Sequence, residues 1–271
     1  MSAPPTPSLS PALLGRIEDA SLNASAPPQQ RWLDGWIVRT NPGKAKRARC
    51  INAVATGRLP LAEKLALAQS VFTEAGLPMV VRITPFTQPA DLDAQLAALG
   101  WSELDDTRVM VCAAWPNAGA GVDQPLPPGL AWQALGPDDY AHAVGALRGS
   151  TQEQIRAHAA RIAASPVPYR GFALSACAPN GQVGSVVACG QFVREAELVG
   201  LYDVFTAPSH RQRGLAGLLC ERLLSLASHE GARVAYLQVE GDNHAARRIY
   251  TRLGFADAYR YHYRLAPGAQ L

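Results

Sequence analysis

The stretch from Leu198 to His229 changes its hydrophobic period once, and that change constrains the chain more than any other feature. Leu198 to Thr206 is a long run of strand character, and Pro208 closes it. From about Gly214 to His229, Leu215, Leu218, Leu219, Leu223, Leu224 and Leu226 then fall on the apolar stripe of an amphipathic helix. The junction reads His210-Arg211-Gln212-Arg213-Gly214-Leu215-Ala216-Gly217-Leu218. A helix N-terminus presents unpaired backbone N–H groups and a positive dipole end, and the small residues Gly214, Ala216 and Gly217 let phosphate oxygens approach them. Arg211 and Arg213 add charge at the rim. By itself the same text fits an exposed helix start with two solvated arginines, so its meaning depends on what surrounds it.

The surroundings read as one α/β module. Leu130 to Leu135 is a first strand, followed by helical spacing over Pro137 to Leu147 and Gln152 to Ala164, with Thr151 as an N-cap. Phe172 to Ala178 and Val183 to Val193 are strands joined by the turn dipeptide Asn180-Gly181, a register that sets Cys177 against Gly184 and Cys189 against Phe172. After the leucine-rich helix come a short buried strand, Val234 to Val239, a helix from Asn243 to Leu253 stopped by Gly254, and a final strand from Phe255. Upstream, residues 115–130 hold four prolines and three glycines without an apolar period, which is linker composition. The expected organisation is therefore a loose Pro-, Ser- and Ala-rich arm over 1–30 with a short helix near Leu13 to Ala20, a module over 31–114, the linker over 115–130, and a second module over 131–271. Helix, strand, helix, Leu-Gly-aromatic and strand occur in both modules, with Gly76 to Gly100 spanning 24 residues and Gly231 to Gly254 spanning 23, which predicts a tandem of related folds.

Composition narrows the function classes. With 48% hydrophobic and 17% charged residues, the chain is neither disordered nor fibrous. No apolar run reaches the roughly 18 residues of a spanning helix and the N-terminus lacks the form of a secretory signal, so a cytoplasmic location without membrane contact is expected. The net charge of +3 is too small to call for a polyanionic partner. Four cations between Lys44 and Arg49 could engage phosphates, but the Asn41-Pro42-Gly43 turn before them reads as the start of a solvated loop, so nucleic acid is not the expected partner. Five scattered cysteines with no CxxC and no clustering with the six histidines read as reduced thiols, and no metal is expected.

A second motif supplies the context that the helix start needs. Asn243-His244-Ala245-Ala246-Arg247-Arg248-Ile249-Tyr250-Thr251-Arg252-Leu253-Gly254-Phe255 resembles the N-x-x-A-x-x-x-Y-x-x-x-G-F helix of the GNAT superfamily of acyl-CoA N-acyltransferases. Thr206-Ala207-Pro208 followed by Arg211, Gly214 and Ala216 resembles that superfamily's [QR]xxGx[GA] pyrophosphate loop. The resemblance covers roughly 131–267. It implies a GNAT fold, α/β (α+β) with a mixed, mostly antiparallel sheet flanked by helices, in tandem with a degenerate N-terminal copy. It also implies acetyl-CoA as co-substrate, a small-molecule or peptide amine as acceptor, and direct attack by the amine in a ternary complex.

Acetyl transfer from a thioester to an amine needs a neutral nucleophile, a stabilised oxyanion and a proton for the departing thiolate. By resemblance, Val204, Phe205 and Thr206 lie on a strand that splays from its neighbour, open to pantetheine and the thioester carbonyl. Arg211, Gln212, Arg213, Gly214, Leu215, Ala216 and Gly217 hold the pyrophosphate, Asn243 and Ala246 contact the CoA arm, and Tyr250 is the general acid. A phenol near 10 can pass a proton to a thiolate near 8.5 without a large uphill step. Some relatives place a basic glutamate where this chain has Gly200, leaving Asp203 as the candidate general base, with Glu197, Glu240 or a water chain as further options. The first module has Leu96 where Tyr250 sits and Pro60 where a phosphate cradle needs an N–H, so no productive acyl-CoA binding is expected there. The competing class is a non-catalytic acyl-CoA-binding or regulatory module, which would bind acetyl-CoA without transfer to any amine. The oligomeric state is left open.

Overall fold

The structure, a computed structural model, describes residues 9–113 and 125–270. Most of the expected linker, 115–124, lies outside the described residues. In chain order the elements are α1 (Pro11–Ala24), β1 (Gln30–Leu33), β2 (Trp36–Arg39), β3 (Ile51–Ala53), α2 (Leu61–Glu74), β4 (Val80–Ile83), α3 (Leu92–Ala98) and β5 (Ser102–Cys112). Then come β6 (Leu130–Leu135), α4 (Pro137–Arg148), α5 (Gln152–Ala163), β7 (Tyr169–Cys177), β8 (Val183–Glu195), β9 (Leu198–Thr206), α6 (Leu215–His229), β10 (Val234–Glu240), α7 (His244–Arg252) and β11 (Ala256–Leu265). Single 3₁₀ turns cover Lys46–Ala48 and Pro208–His210.

The eleven strands of the described residues form one mixed sheet in the order β1-β2-β3-β4-β11-β5-β10-β9-β8-β7-β6. Two pairs are parallel, β3 with β4 and β9 with β10, each joined by a crossover helix, α2 or α6. The repeated unit is thus β3-α2-β4-α3-β5 and β9-α6-β10-α7-β11, and the last strand of each unit crosses into the other. β5 pairs with β10 of the second unit, while β11 pairs with β4 of the first, and β5 and β11 pair with each other in the middle. Val109 to Cys112 of β5 are buried on both faces of the sheet, Val109 and Val111 in one core and Met110 and Cys112 in the other. Two-sided burial removes the alternation from which a strand's exposed face is read.

The helices cover both faces. α6 buries Leu219, Leu223 and Ala227 against Val199, Leu201 and Leu237. On the opposite face α1 buries Ile17, Ala20 and Ala24 against Val111, Tyr236 and Tyr261. The segment read as a loose arm therefore contains an anchored helix of four turns, capped by Ser10, whose side chain accepts from the Leu13 N–H at 3.2 Å. Its small apolar residues hid its packing, and its anchor is a charge. Glu18 is buried in a bidentate pair with Arg82, accepts a further hydrogen bond from the Tyr259 hydroxyl at 2.7 Å, and the Arg82 guanidinium lies 3.9 Å from the Tyr261 ring centre.

Burial alone would raise the Glu18 pKa, but the Arg82 charge and the hydrogen bonds from Arg82 and Tyr259 outweigh it and leave the carboxyl below its usual value near 4.5. A lowered folded-state pKa contributes stability above the unfolded value that is lost as pH falls through the folded one. Stability should therefore decline below about pH 4.5. Glu18→Gln, which strands the buried Arg82 charge, should cost about 3–5 kcal/mol in a urea titration. A variant within 1 kcal/mol of the parent would show that α1 is held by its apolar face alone.

The hairpin of β7 and β8 turns at Asn180-Gly181 as expected, with Gly181 at φ +80°. Its register differs from the expected one, first because the loop has three residues, Pro179-Asn180-Gly181, with the Ala178 N–H donating to the Gln182 carbonyl at 2.9 Å. The loop sets Cys177 opposite Val183, and shifts in the ladder between Leu174 and Cys177 bring Cys189 opposite Ala173. All five cysteines are free thiols.

Candidate functional site

The site begins with a bulge in β9. Gln191 of β8 pairs with Tyr202 and Cys189 with Phe205, so Asp203 and Val204 together oppose the single residue Gly190. Asp203 takes φ +51°, a conformation uncommon for a side-chain-bearing residue, and the Tyr140 hydroxyl donates to its carbonyl at 2.9 Å. Gly190 lets the bulge pack closely on α6, since a Cβ there would lie 3.1 Å from the Leu219 and Leu223 side chains, which would have to give by a few tenths of an ångström. On the other edge of β9 the parallel pairing with β10 ends at Leu201 and Leu237, although both strands continue. Past the bulge the two strands part.

The fork opens into a cleft of about 860 Å³ with three walls. The end of β9 supplies Val204, Phe205 and Thr206; the turn and start of α6 supply Arg211, Gln212, Gly214, Leu215, Ala216 and Gly217; α7 supplies Asn243, Ala246 and Tyr250. The structure thus gathers all the residues that the two motifs singled out except Arg213 and Asp203. Gln212 and Gly214 have φ +60° and +75°, which swings the chain so that Gly214 is the N-cap of α6 with no side chain over the helix end. A Cβ on Gly214 or Gly217 would meet nothing within 4 Å. The helix end has no side-chain cap and opens onto the cleft beside Arg211, an arrangement with the donors and positive dipole end that an anion needs. The Thr206 hydroxyl is buried without a hydrogen-bond partner at the cleft wall. The geometry of this cleft fits a long molecule with a diphosphate and a polar arm.

Asn243 caps α7 through its side chain, accepting from the Ala246 N–H at 3.1 Å. Tyr250 is half-buried edge-on to Phe255, ring centres 6.1 Å apart, and its hydroxyl has no partner among the described residues. Burial, with the nearby Cys220, pushes its pKa well above the usual 10. The phenol is therefore protonated throughout the neutral range and able to donate. Arg248 and Arg252, one helical turn apart on α7, also line the cleft. Their i,i+4 spacing was available in the sequence but had no motif to give it meaning.

Asp203 lies elsewhere. Its carboxylate accepts from Gln191 Nε2 at 2.8 Å, meets Arg148 at 3.0 Å and His158 at 3.1 Å, and lies 3.9 Å from Arg161. Burial would raise its pKa, but the His158 hydrogen bond and the charges of Arg148, His158 and Arg161 hold it well below the usual carboxylate range. With its oxygens engaged by Gln191, Arg148 and His158, the carboxylate ties β9 to α4 and α5 and does not line the cleft. Glu197 is paired with Arg16 at 2.6 Å, and Glu240 is exposed at the end of β10. Among the described residues no group of three or more His, Cys, Asp or Glu side chains could hold a metal ion, and no helix is long and apolar enough to cross a membrane.

Residues 13–264 match the family model described as probable histone acetyltransferase Rv0428c, C-terminal. The uncharacterized N-acetyltransferase YobR of Bacillus subtilis is 22% identical over 246 residues, covering 87% of this chain and 92% of its own. The uncharacterized N-acetyltransferase MJ1207 of Methanocaldococcus jannaschii is 29% identical over 85 residues, a match that spans 30% of this chain and only 38% of that protein. A GCN5-related N-acetyltransferase from Kribbella flavida superimposes with a TM-score of 0.64 at 18% identity, over 94% of this chain and 96% of its own, which shows a common fold.

Proposed function

Because this chain belongs to the family of the probable histone acetyltransferase Rv0428c C-terminal region and is a GNAT N-acetyltransferase, we propose that it moves the acetyl group of acetyl-CoA to a primary amine by direct attack in a ternary complex. The observation that carries this reading is the single cleft in which the β9 fork, the open N-terminus of α6 and Tyr250 meet. The α6 end with Arg211 and Gly214 receives the diphosphate, Arg213 adds charge at the rim, and the unpaired edge of β9 from Val204 to Thr206 receives the pantetheine arm and the thioester carbonyl. Asn243 and Ala246 border the arm.

The amine nitrogen attacks the thioester carbon. A C–N bond forms, the C–S bond breaks, the nitrogen loses a proton to solvent, and the departing sulfur accepts a hydrogen bond from the Tyr250 hydroxyl, any proton passed to it being replaced on Tyr250 from solvent. Full proton transfer from a phenol raised above 10 is uphill until charge develops on sulfur, so Tyr250 acts mainly by donating to that charge. Asp203 has a positioning part in this reading, and no protein carboxylate acts as base. Nor does a cysteine nucleophile enter: burial pushes the Cys189 and Cys220 thiols up to about 12.

Tyr250→Phe should lower kcat at least roughly tenfold, while acetyl-CoA affinity by calorimetry stays within about twofold. An unchanged kcat would remove Tyr250 from the chemistry. The N-terminal unit shapes the acceptor side through the loop at 41–49, where Lys46 pairs with Asp105 at 2.7 Å and Arg47 lies over the Tyr202 ring at 5.7 Å.

A further inference from the structure

The bulge in β9 presents two faces. Val204 packs toward the α6 core beside the cleft, while Asp203 points the opposite way, to α4 and α5. Phe205 spans the two, with the Arg211 guanidinium 5.8 Å and the Arg148 guanidinium 5.5 Å from its ring centre. On the Asp203 side lies a separate cavity of about 70 Å³ between the N-terminal unit and the start of α5. It is bordered by Lys44, Arg148, His158 and Arg161, and its one carboxylate is Asp203.

That carboxylate is already committed to Gln191, Arg148 and His158. Lys44 has no ion pair among the described residues and is exposed at the mouth. The loop that carries it is fixed rather than trailing. Asn41 Oδ1 accepts from the Gly43 N–H at 2.9 Å, and the Asn41 N–H donates to the Ala48 carbonyl at 2.9 Å. Gln154, His158 and Arg161 lie on one face of α5, and α5 begins here with its positive dipole end, capped by Thr151. The cavity thus has a surplus of positive charge built from two units of the chain, beside the strand that faces the thioester. Its volume, roughly that of two waters, suits a planar carboxylate and little more.

We infer that the acceptor carries a carboxylate as well as its amine, and that Lys44, at the mouth of this cavity with Arg148 and Arg161 behind it, selects for that carboxylate. The inference rests on the acetyl-CoA reading above and adds the chemical class of the acceptor. It is tested with the purified full chain and acetyl-CoA, measuring released CoA thiol with glycine, β-alanine and 4-aminobutyrate, each against its own carboxamide. The acid of at least one pair should exceed its amide in kcat/KM at least roughly tenfold, the worth of a charge-assisted contact. Lys44→Glu should erase that preference and Lys44→Arg should keep it, with acetyl-CoA affinity by calorimetry the same in all three proteins. Amides used as well as acids, an acid preference that survives Lys44→Glu, or no transfer to any of the six would each overturn the inference and leave the cofactor assignment standing. Failure of the parent protein to bind acetyl-CoA would overturn the proposed function itself.

Discussion

Gly214→Glu lowers acetyl-CoA affinity by at least roughly a hundredfold, as the loss of one or two charge-assisted anion contacts and the addition of a repulsive charge together require. Gly214 is the N-cap of α6 at φ +75°, and its missing side chain leaves the helix end open. Two costs can be separated. Any Cβ at this φ is strained by about 1–3 kcal/mol, which Gly214→Ala measures alone because its methyl meets no neighbour. The glutamate adds bulk and a negative charge at the point where the diphosphate would sit. The same charge is favourable to the helix itself, since a carboxylate stabilises a helix N-terminus. Thermal unfolding should therefore shift no more for Gly214→Glu than for Gly214→Ala, while calorimetric titration with acetyl-CoA separates the two sharply. If the glutamate variant binds as the alanine variant does, the diphosphate seat is elsewhere.

How much of this was legible in the sequence follows from where each signal resides. The α6 stripe, the Asn243 cap and the helices at Pro137 and Gln152 are local patterns, and the structure places them within a residue or two of the expected bounds. Tyr250, Gly214 and the residues from Val204 to Thr206 line one cleft, a convergence that the two spaced motifs implied. Asp203, read as a candidate base, is engaged by Arg148, His158 and Arg161 on other helices, and nothing in the strand's own text reveals that these three side chains converge on it. The bulge was equally hidden, since its marks are a positive φ at Asp203 and one glycine on the neighbouring strand. Arg248 and Arg252 were visible as a helical pair but lacked a ligand to point at.

The strand exchange was the feature least open to sequence reasoning, and it carries the second large effect. The proline-rich stretch marks a boundary at which a cut leaves the second module soluble only if that module has a complete core of its own. A fragment of residues 125–271 instead loses β5, which lies between β10 and β11 and is registered with six residues of the first and eight of the second. Val109, Met110, Val111 and Cys112 are each at most 3% exposed. Burying such side chains is worth about 1.5–3 kcal/mol apiece, and their loss together approaches the whole margin of about 5–15 kcal/mol by which a domain is stable. Expressed alone, 125–271 should be insoluble or lack a cooperative melt. Co-expressed with residues 1–113, it should be recovered as a complex that binds acetyl-CoA, since the two pieces together hold every ladder of the described residues. A soluble, cooperatively melting 125–271 fragment with the affinity of the full chain would mean that the second unit completes its sheet without its neighbour, and the exchange would then be a convenience of packing rather than a condition of folding.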